Sequence, residues 1–188
     1  MLLLPGCFGV LDDAEQPVTV FTDPPGAHCE LRRNGRWVGT VSPSPGLLRV
    51  NNRKSDISVY CSKALHEAAT AVLVSSRRDL TIGDIVVRGP IGLAFEAGTG
   101  AAREYPSSIT LYLPPLSFAS ARERDRYYNR VKAHASEQAA DEIARIGRKC
   151  GETLTRRCRN RMSAIAASRD DSIADLETKR QRAKIGAG

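Results

Sequence analysis

Aromatic residues are scarce, at 5% of the 188 residues with a single tryptophan, so the large rings that usually fill a hydrophobic core are few. No run of about 18 apolar residues occurs, which excludes a spanning helix of the ordinary kind. Only His28, His66 and His134 are present, and they are dispersed. A multi-histidine metal site is therefore not expected, and no metal or other cofactor is assigned. Catalytic signatures are missing as well. Neither glycine cluster leads into the Gly-Lys-Ser/Thr of a phosphate loop, and Gly-x-Ser-x-Gly is absent. Gly98-Thr-Gly-Ala-Ala-Arg103 opens like a dinucleotide fingerprint but carries Arg103 where the third glycine belongs. Paired carboxylates cannot be nominated, so the expectation is a protein that is not an enzyme.

The formal net charge is +7, and it is unevenly placed. Residues 1–120 hold 11 Lys and Arg against 11 Asp and Glu, whereas residues 121–188 hold 17 against 10. A neutral body is followed by a basic tail.

The body reads as a set of short strands. Val18–Thr22 alternates and stops at Asp23-Pro-Pro-Gly26, where prolines and glycine end a strand and make a turn. Ala27–Arg32 puts Ala27, Cys29 and Leu31 on one face and His28, Glu30 and Arg32 on the other, so His28 faces solvent. Asn34-Gly35 is the strongest short hairpin signal in the chain and leads into Arg36–Thr40, where Trp37 is expected in the core or capping a sheet face. Beyond the breaker cluster Ser42–Gly46 come Leu47–Val50, Ile57–Cys61, Ala69–Val74 and Ile109–Leu113. Short strands at turn-bounded intervals predict a small antiparallel β-sandwich over residues 17–116. The glycine-rich stretch from Ile82 to Ala102 is expected to pack on it as a short helix or hairpin, with close approach to a partner as the alternative.

The first residues, Leu4-Pro5-Gly6-Cys7 after an apolar start, resemble the lipobox of bacterial lipoprotein precursors. The resemblance implies that Cys7 carries a lipid and that residues 1–16 tether the chain. Phe8 follows the cysteine where an aspartate would favour the inner membrane, so the implied place is the periplasmic face of the outer membrane, with the periplasm as the alternative. Export leaves four cysteines in an oxidising compartment. Cys29 and Cys61 occupy apolar positions near strand ends and fit a cross-strand or inter-sheet disulfide.

Thr19–Ala27, Cys29-Glu-Leu31 and Ile57–Lys63, with Gly89–Ala101 and Tyr105-Pro106 downstream, resemble PEGA-type β-domains of bacterial envelope proteins. That resemblance covers roughly residues 17–113 and implies a binding or structural module.

The tail, residues 117–188, has no proline, and Ser120-Ala-Arg-Glu123 is a capping-box pattern that starts a helix. An apolar stripe runs from Tyr128 through Val131, Ala135, Ala139, Ile143 and Ile146, and on through Leu154 and Ile165 to Leu176; only Arg169 interrupts it. The stripe needs a partner helix. A continuous helix of some 65 residues, about 100 Å long, would oligomerise through it. Alternatively, Gly147 and Gly151 bend the chain into a helical hairpin. Cys150 and Cys158 lie about 12 Å apart along a straight helix, beyond the roughly 7 Å that a disulfide tolerates, so an intrachain bond requires the bend.

Arg145, Arg148, Arg156, Arg157, Arg159 and Arg161 surround the stripe, with Asp141 spaced to pair with Arg145. With Ile143, Leu154 and Ile165 they are the candidate partner-binding residues. The partners expected are the membrane through the lipid, an envelope protein or a second copy, and an anionic envelope surface. Nucleic acid is not expected, because export and the lack of aromatic platforms argue against it. The whole is an α+β chain: a sandwich followed by a long C-terminal helix or helical hairpin, serving as an envelope structural or interaction subunit, or as a periplasmic assembly subunit or chaperone.

Overall fold

The computed structural model describes residues 15–52, 55–77, 92–97, 103–151 and 154–186. Cys7 and most of the glycine-rich stretch lie outside them. The elements are β1 (Glu15–Asp23), β2 (His28–Arg33), β3 (Arg36–Val41), β4 (Gly46–Asn51), β5 (Ile57–Ser62), β6 (Ala69–Leu73), β7 (Ser76–Arg77), β8 (Gly92–Ala97), β9 (Arg103–Glu104), β10 (Pro106–Tyr112), α1 (Ala121–Cys150) and α2 (Arg156–Arg182). One sheet has the order β4-β1-β10-β8, the second β3-β2-β5-β6, and β7 pairs with β9. The fold is α+β, two packed sheets followed by a helical hairpin.

Side-chain alternation builds the core. Val18 and Val20 of β1, Ile109 and Leu111 of β10, Cys29 and Leu31 of β2, and Ile57, Val59 and Cys61 of β5 are all fully buried between the sheets. Asn34 and Gly35 both take positive φ, as the hairpin signal requires, at +50° and +77°.

Three details of the sheets refine these expectations. The sandwich is antiparallel-rich, as expected, with one parallel pair among the described strands: β1 and β10, Thr19 opposite Ser108 through Asp23 opposite Tyr112. The chain can do this because it builds the second sheet between them, which supplies the long crossover that parallel strands need. The pairing of β1 begins ahead of residue 17, because Glu15 and Gln16 pair with Asn51 and Val50. The Gln16 amide also donates to the Tyr105 carbonyl and accepts from its N–H, both at 2.8 Å. Finally, the described part of the glycine-rich stretch, Gly92–Ala97, is a strand antiparallel to β10, which fits the hairpin of the two expected forms and not the helix.

Two buried polar groups hold the loops around this core. Tyr105, 1% exposed, closes one end, donating from its hydroxyl to the Ser55 carbonyl at 2.7 Å while Arg33 lies over its ring. In the proline-rich cluster, buried Ser44 accepts from the Ala27 N–H through Oγ at 2.9 Å and lies against Thr22 Oγ1. Ser44→Ala leaves that N–H without an acceptor in a site closed to water, and a loss of about 1–3 kcal/mol is expected in urea unfolding. An unchanged midpoint would show that the turn does not depend on this contact.

The hairpin is docked onto the sandwich. Phe118, Tyr128, Val131 and Leu176 form a second buried cluster with Tyr112. The chain end is tied in too: the Phe118 N–H donates to the Lys184 carbonyl and the Gly186 N–H to the Phe118 carbonyl, both at 2.9 Å. Arg130 of α1 reaches Asp23 of β1 at 2.8 Å. Burial, with the Asp23 charge next, pushes the Tyr112 hydroxyl up to about 12 and raises Tyr127 as well.

Between the helices, Glu177 accepts from Lys132 Nζ at 3.0 Å and from Arg180, and Arg180 also donates to Asp125 at 2.8 Å. The hydrogen bond from Arg180, then that from Lys132, holds the Glu177 carboxyl down to about 2 from its ordinary 4.5, and Arg180 and Arg124 lower Asp125 in the same direction. A carboxyl whose folded pKa is depressed contributes its stability fully above the ordinary value and loses it as pH falls toward the folded one. The helical signal is therefore expected to become less heat-stable between about pH 4.5 and pH 2. Circular dichroism melts of Glu177→Gln across that window should show a flatter dependence; an equal slope would remove Glu177 from the effect.

Candidate functional site

The basic segment owes its shape to how the two helices end. At the start of α1 the Glu123 N–H donates to Ser120 Oγ at 3.2 Å, as the capping pattern predicts, and the Glu123 carboxylate reaches one residue further back, accepting from the Ala119 N–H at 3.1 Å. The helix stops at Cys150 because Gly151 turns to φ +68°, a conformation that glycine adopts without a side-chain clash. Thr155 then caps α2, accepting from the Cys158 N–H at 3.2 Å. Cys150 and Cys158 are bonded across the turn with Cα atoms 6.5 Å apart. The bend sits at Gly151; Gly147 is an interior residue of α1. The structure thus takes the hairpin and not the continuous helix.

That folding gathers the charge. Residues 145–161 contain seven cations, the six arginines named above and Lys149, against the single carboxylate of Glu152. On a straight helix they would spread over about 24 Å at 1.5 Å per residue; the hairpin folds them back to flank one turn. Arg148, Lys149, Arg156, Arg157 and Arg159 are exposed. Among the described residues no carboxylate pairs with Arg148, Arg156, Arg157, Arg159 or Arg161. Arg159 is aimed by donating to the Leu154 carbonyl. Toward the sandwich the picture reverses, because Asp23, Asp125, Asp175 and Glu177 each face a cation there. The field is therefore concentrated at the tip.

The first turn of α2 heightens this. It holds no acidic residue, and Arg156, Arg157 and Arg159 stand where the helix dipole already presents positive potential. An anion brought to the turn relieves both.

The remaining candidates divide. Leu154 lies at the tip and is 39% exposed, whereas Ile143 and Ile165 are half-buried along the hairpin. Arg145 does not pair with Asp141. Its partner is Glu142, 4% exposed, which lies on the inner side of α1 while Asp141 points to solvent. Much of the apolar stripe, Val131, Ala135, Ala139 and Ile146, is buried within the chain. Lys149 and the cap Thr155 were not among the candidates, though a threonine three residues before Cys158 and directly ahead of a helical run is a cap signal.

The second disulfide, Cys29–Cys61, joins directly opposed residues of β2 and β5 with Cα atoms 4.1 Å apart, so it is cross-strand and not inter-sheet. Among the described residues there is no cluster of His, Cys, Asp and Glu that could hold a metal ion, and no helix long and apolar enough to cross a membrane. Two disulfides are compatible with a protein outside the cytoplasm. No family model matches the chain, and no curated protein and no solved structure matches it.

Proposed function

We propose that this chain is an exported envelope protein, anchored through a lipid on Cys7 at the periplasmic face of the outer membrane, and that it acts as a structural or interaction subunit without catalysis. The sandwich, read as PEGA-like, holds the helical hairpin away from the anchor, and the hairpin tip engages an anionic partner surface. The observation that carries this is the group of cations around the disulfide-closed turn, five of them without a carboxylate partner among the described residues. The disulfides support the export on which the anchor depends. The α1 half of the apolar stripe is buried at Tyr128, Val131, Ala135, Ala139 and Ile146, whereas on α2 only Leu176 is buried; the covered α1 half favours this arrangement over a subunit that oligomerises through the whole stripe.

Two measurements test it. Mass spectrometry of the native protein should find a chain beginning at Cys7 with added acyl mass, and an unmodified Cys7 inside a longer chain removes the anchor. Full-length protein carrying Cys7→Ser, which cannot be acylated, should also co-sediment with vesicles containing phosphatidylglycerol and not with pure phosphatidylcholine vesicles. Each cation near an anionic surface contributes about 1 kcal/mol before screening by salt. Replacing Arg148, Arg156, Arg157 and Arg159 by Gln removes about 4 kcal/mol and is therefore expected to weaken binding roughly a thousandfold at low salt, and by less as salt rises. Binding that survives the four substitutions, or that ignores ionic strength, removes the tip as the contact.

A further inference from the structure

Trp37, the only tryptophan in the chain, is 66% exposed. Its position is built into the sheet. In β3, Val41 and Gly39 face the core, and an unbroken pleat would turn Trp37 the same way. Instead the register shifts: Leu31 lies opposite Gly39 while Arg32 lies opposite Trp37, leaving Val38 as the extra residue of a bulge. The bulge moves the indole to the outer face, where its Nε1 donates to Thr40 Oγ1 at 3.3 Å.

The neighbours on that face form a row across three strands. On β2, Arg32 Nε and Nη2 both donate to one Glu30 oxygen, at 3.2 and 2.8 Å, so the guanidinium and carboxylate are held together. On β5, opposite Glu30, stands Tyr60, 47% exposed. The order is indole, charged planar pair, phenol. The rings are staggered, Trp37 opposite Arg32 and Tyr60 opposite Glu30 two residues away, so two interstrand spacings and two residues of strand rise set their positions about 12 Å apart on a diagonal, within the reach of two to three linked pyranose rings. No exposed large aliphatic side chain belongs to β2, β3, β5 or β6, and the hydroxyls of Thr40 and Thr70 extend the row of Glu30 and Tyr60.

We propose that this sheet face binds a linear polysaccharide chain, with one sugar ring stacked on Trp37 and another on Tyr60, and with the Arg32–Glu30 pair hydrogen-bonding the hydroxyls between them. A pyranose ring has an apolar C–H face and a rim of hydroxyls, and it is complementary to flat rings set among planar charged groups. A protein-binding hot spot sets its aromatic anchors in well-packed pockets, whereas here the indole and the phenol stand on an open sheet face, 66% and 47% exposed. The platform is already ordered, since the indole is fixed by Thr40, Arg32 by Glu30, and the strands by the Cys29–Cys61 bond, so little freedom is lost on binding.

Because Trp37 is the single tryptophan, its fluorescence reports on this face alone. The full chain is titrated with N-acetylglucosamine, its β-1,4-linked hexamer, glucose and a β-1,4-linked glucose hexamer, the two series separating amino-sugar from neutral chains. A saturable change in emission is expected with a hexamer, with its monosaccharide weaker by about tenfold or more. Calorimetry should find hexamer binding lost in Trp37→Ala and weakened about tenfold in Tyr60→Ala, with circular dichroism unchanged in both. The four tip substitutions should leave these values unaltered, which keeps this site separable from the hairpin. No response to any of the four sugars by a folded protein overturns the proposal. So does undiminished hexamer binding by Trp37→Ala, or an emission change that follows protein concentration alone and shows a second copy covering the face.

Discussion

Replacing Cys29 and Cys61 together by alanine is expected to lower the melting temperature by roughly 10 °C. The two residues are directly opposed on β2 and β5, the central strands of their sheet, and both are fully buried. The bond between them closes a 32-residue separation that contains all of β3 and β4. In the chain-entropy treatment, a loop of that length adds about 3–4 kcal/mol by restricting the unfolded chain. A domain of this size shifts by about 2–4 °C for each kcal/mol. Removing the sulfurs also empties volume between the sheets, so the entropic figure is a lower bound. The measurement is a thermal melt of the double variant beside the wild type, with and without reductant. A shift below about 3 °C would show that packing alone holds the sheet together. The Cys150–Cys158 bond contrasts with it. It closes only eight residues at the outer end of the hairpin, away from the buried cluster at the docking joint, so its loss is expected to loosen the tip more than to lower the main transition.

The second large effect is expected at the joint between hairpin and sandwich. Phe118 is 2% exposed, and its ring centroid lies 5.7 Å from that of Tyr127 and 5.9 Å from that of Tyr128. It also stands between the segments, since its backbone pairs with Lys184 and Gly186 at the far end of α2. Phe118→Ala removes the side chain that both units share, at a cost of about 3–5 kcal/mol. The sandwich retains its own core, its disulfide and the Tyr105 plug, none of which involves Phe118. The loss should therefore fall on docking, so that calorimetry resolves two transitions where the wild type has one. Limited proteolysis should then cut within 114–120, the connection that docking covers. A single transition at the wild-type temperature, with that connection still protected, would place the joint's stability elsewhere, most plainly in the Arg130–Asp23 pair.

Much of this architecture is legible before any tertiary contact is considered. The strands β1 to β6 and β10 follow from two-residue alternation and from breakers such as Asp23–Gly26 and Asn34-Gly35, because pleat and turn geometry involve only neighbouring residues. The start of α1 follows for the same reason, through Ser120 and Glu123. Cys29 and Cys61 could be placed on inward faces, but their being opposite each other needed the pairing of β2 with β5.

What tertiary structure alone decided lies where two arrangements satisfy the same local pattern. The apolar stripe from Tyr128 to Leu176 is buried equally well by a second chain or by the chain folded on itself; the turn at Gly151 and the docking of Phe118, Tyr128 and Leu176 choose the second. That choice folds the arginines of 145–161 back around one turn and makes them a concentrated tip. Trp37 is the same case in a strand, since alternation counted from Gly39 points it inward until a one-residue register shift against β2 reverses it. The parallel match of β1 with β10 and the strand in the glycine-rich stretch also rest on partners many residues away. Periodicity reports which face of an element is apolar, whereas register and docking are settled by distant groups competing to bury that face, and those determine where charge and exposed rings finally stand.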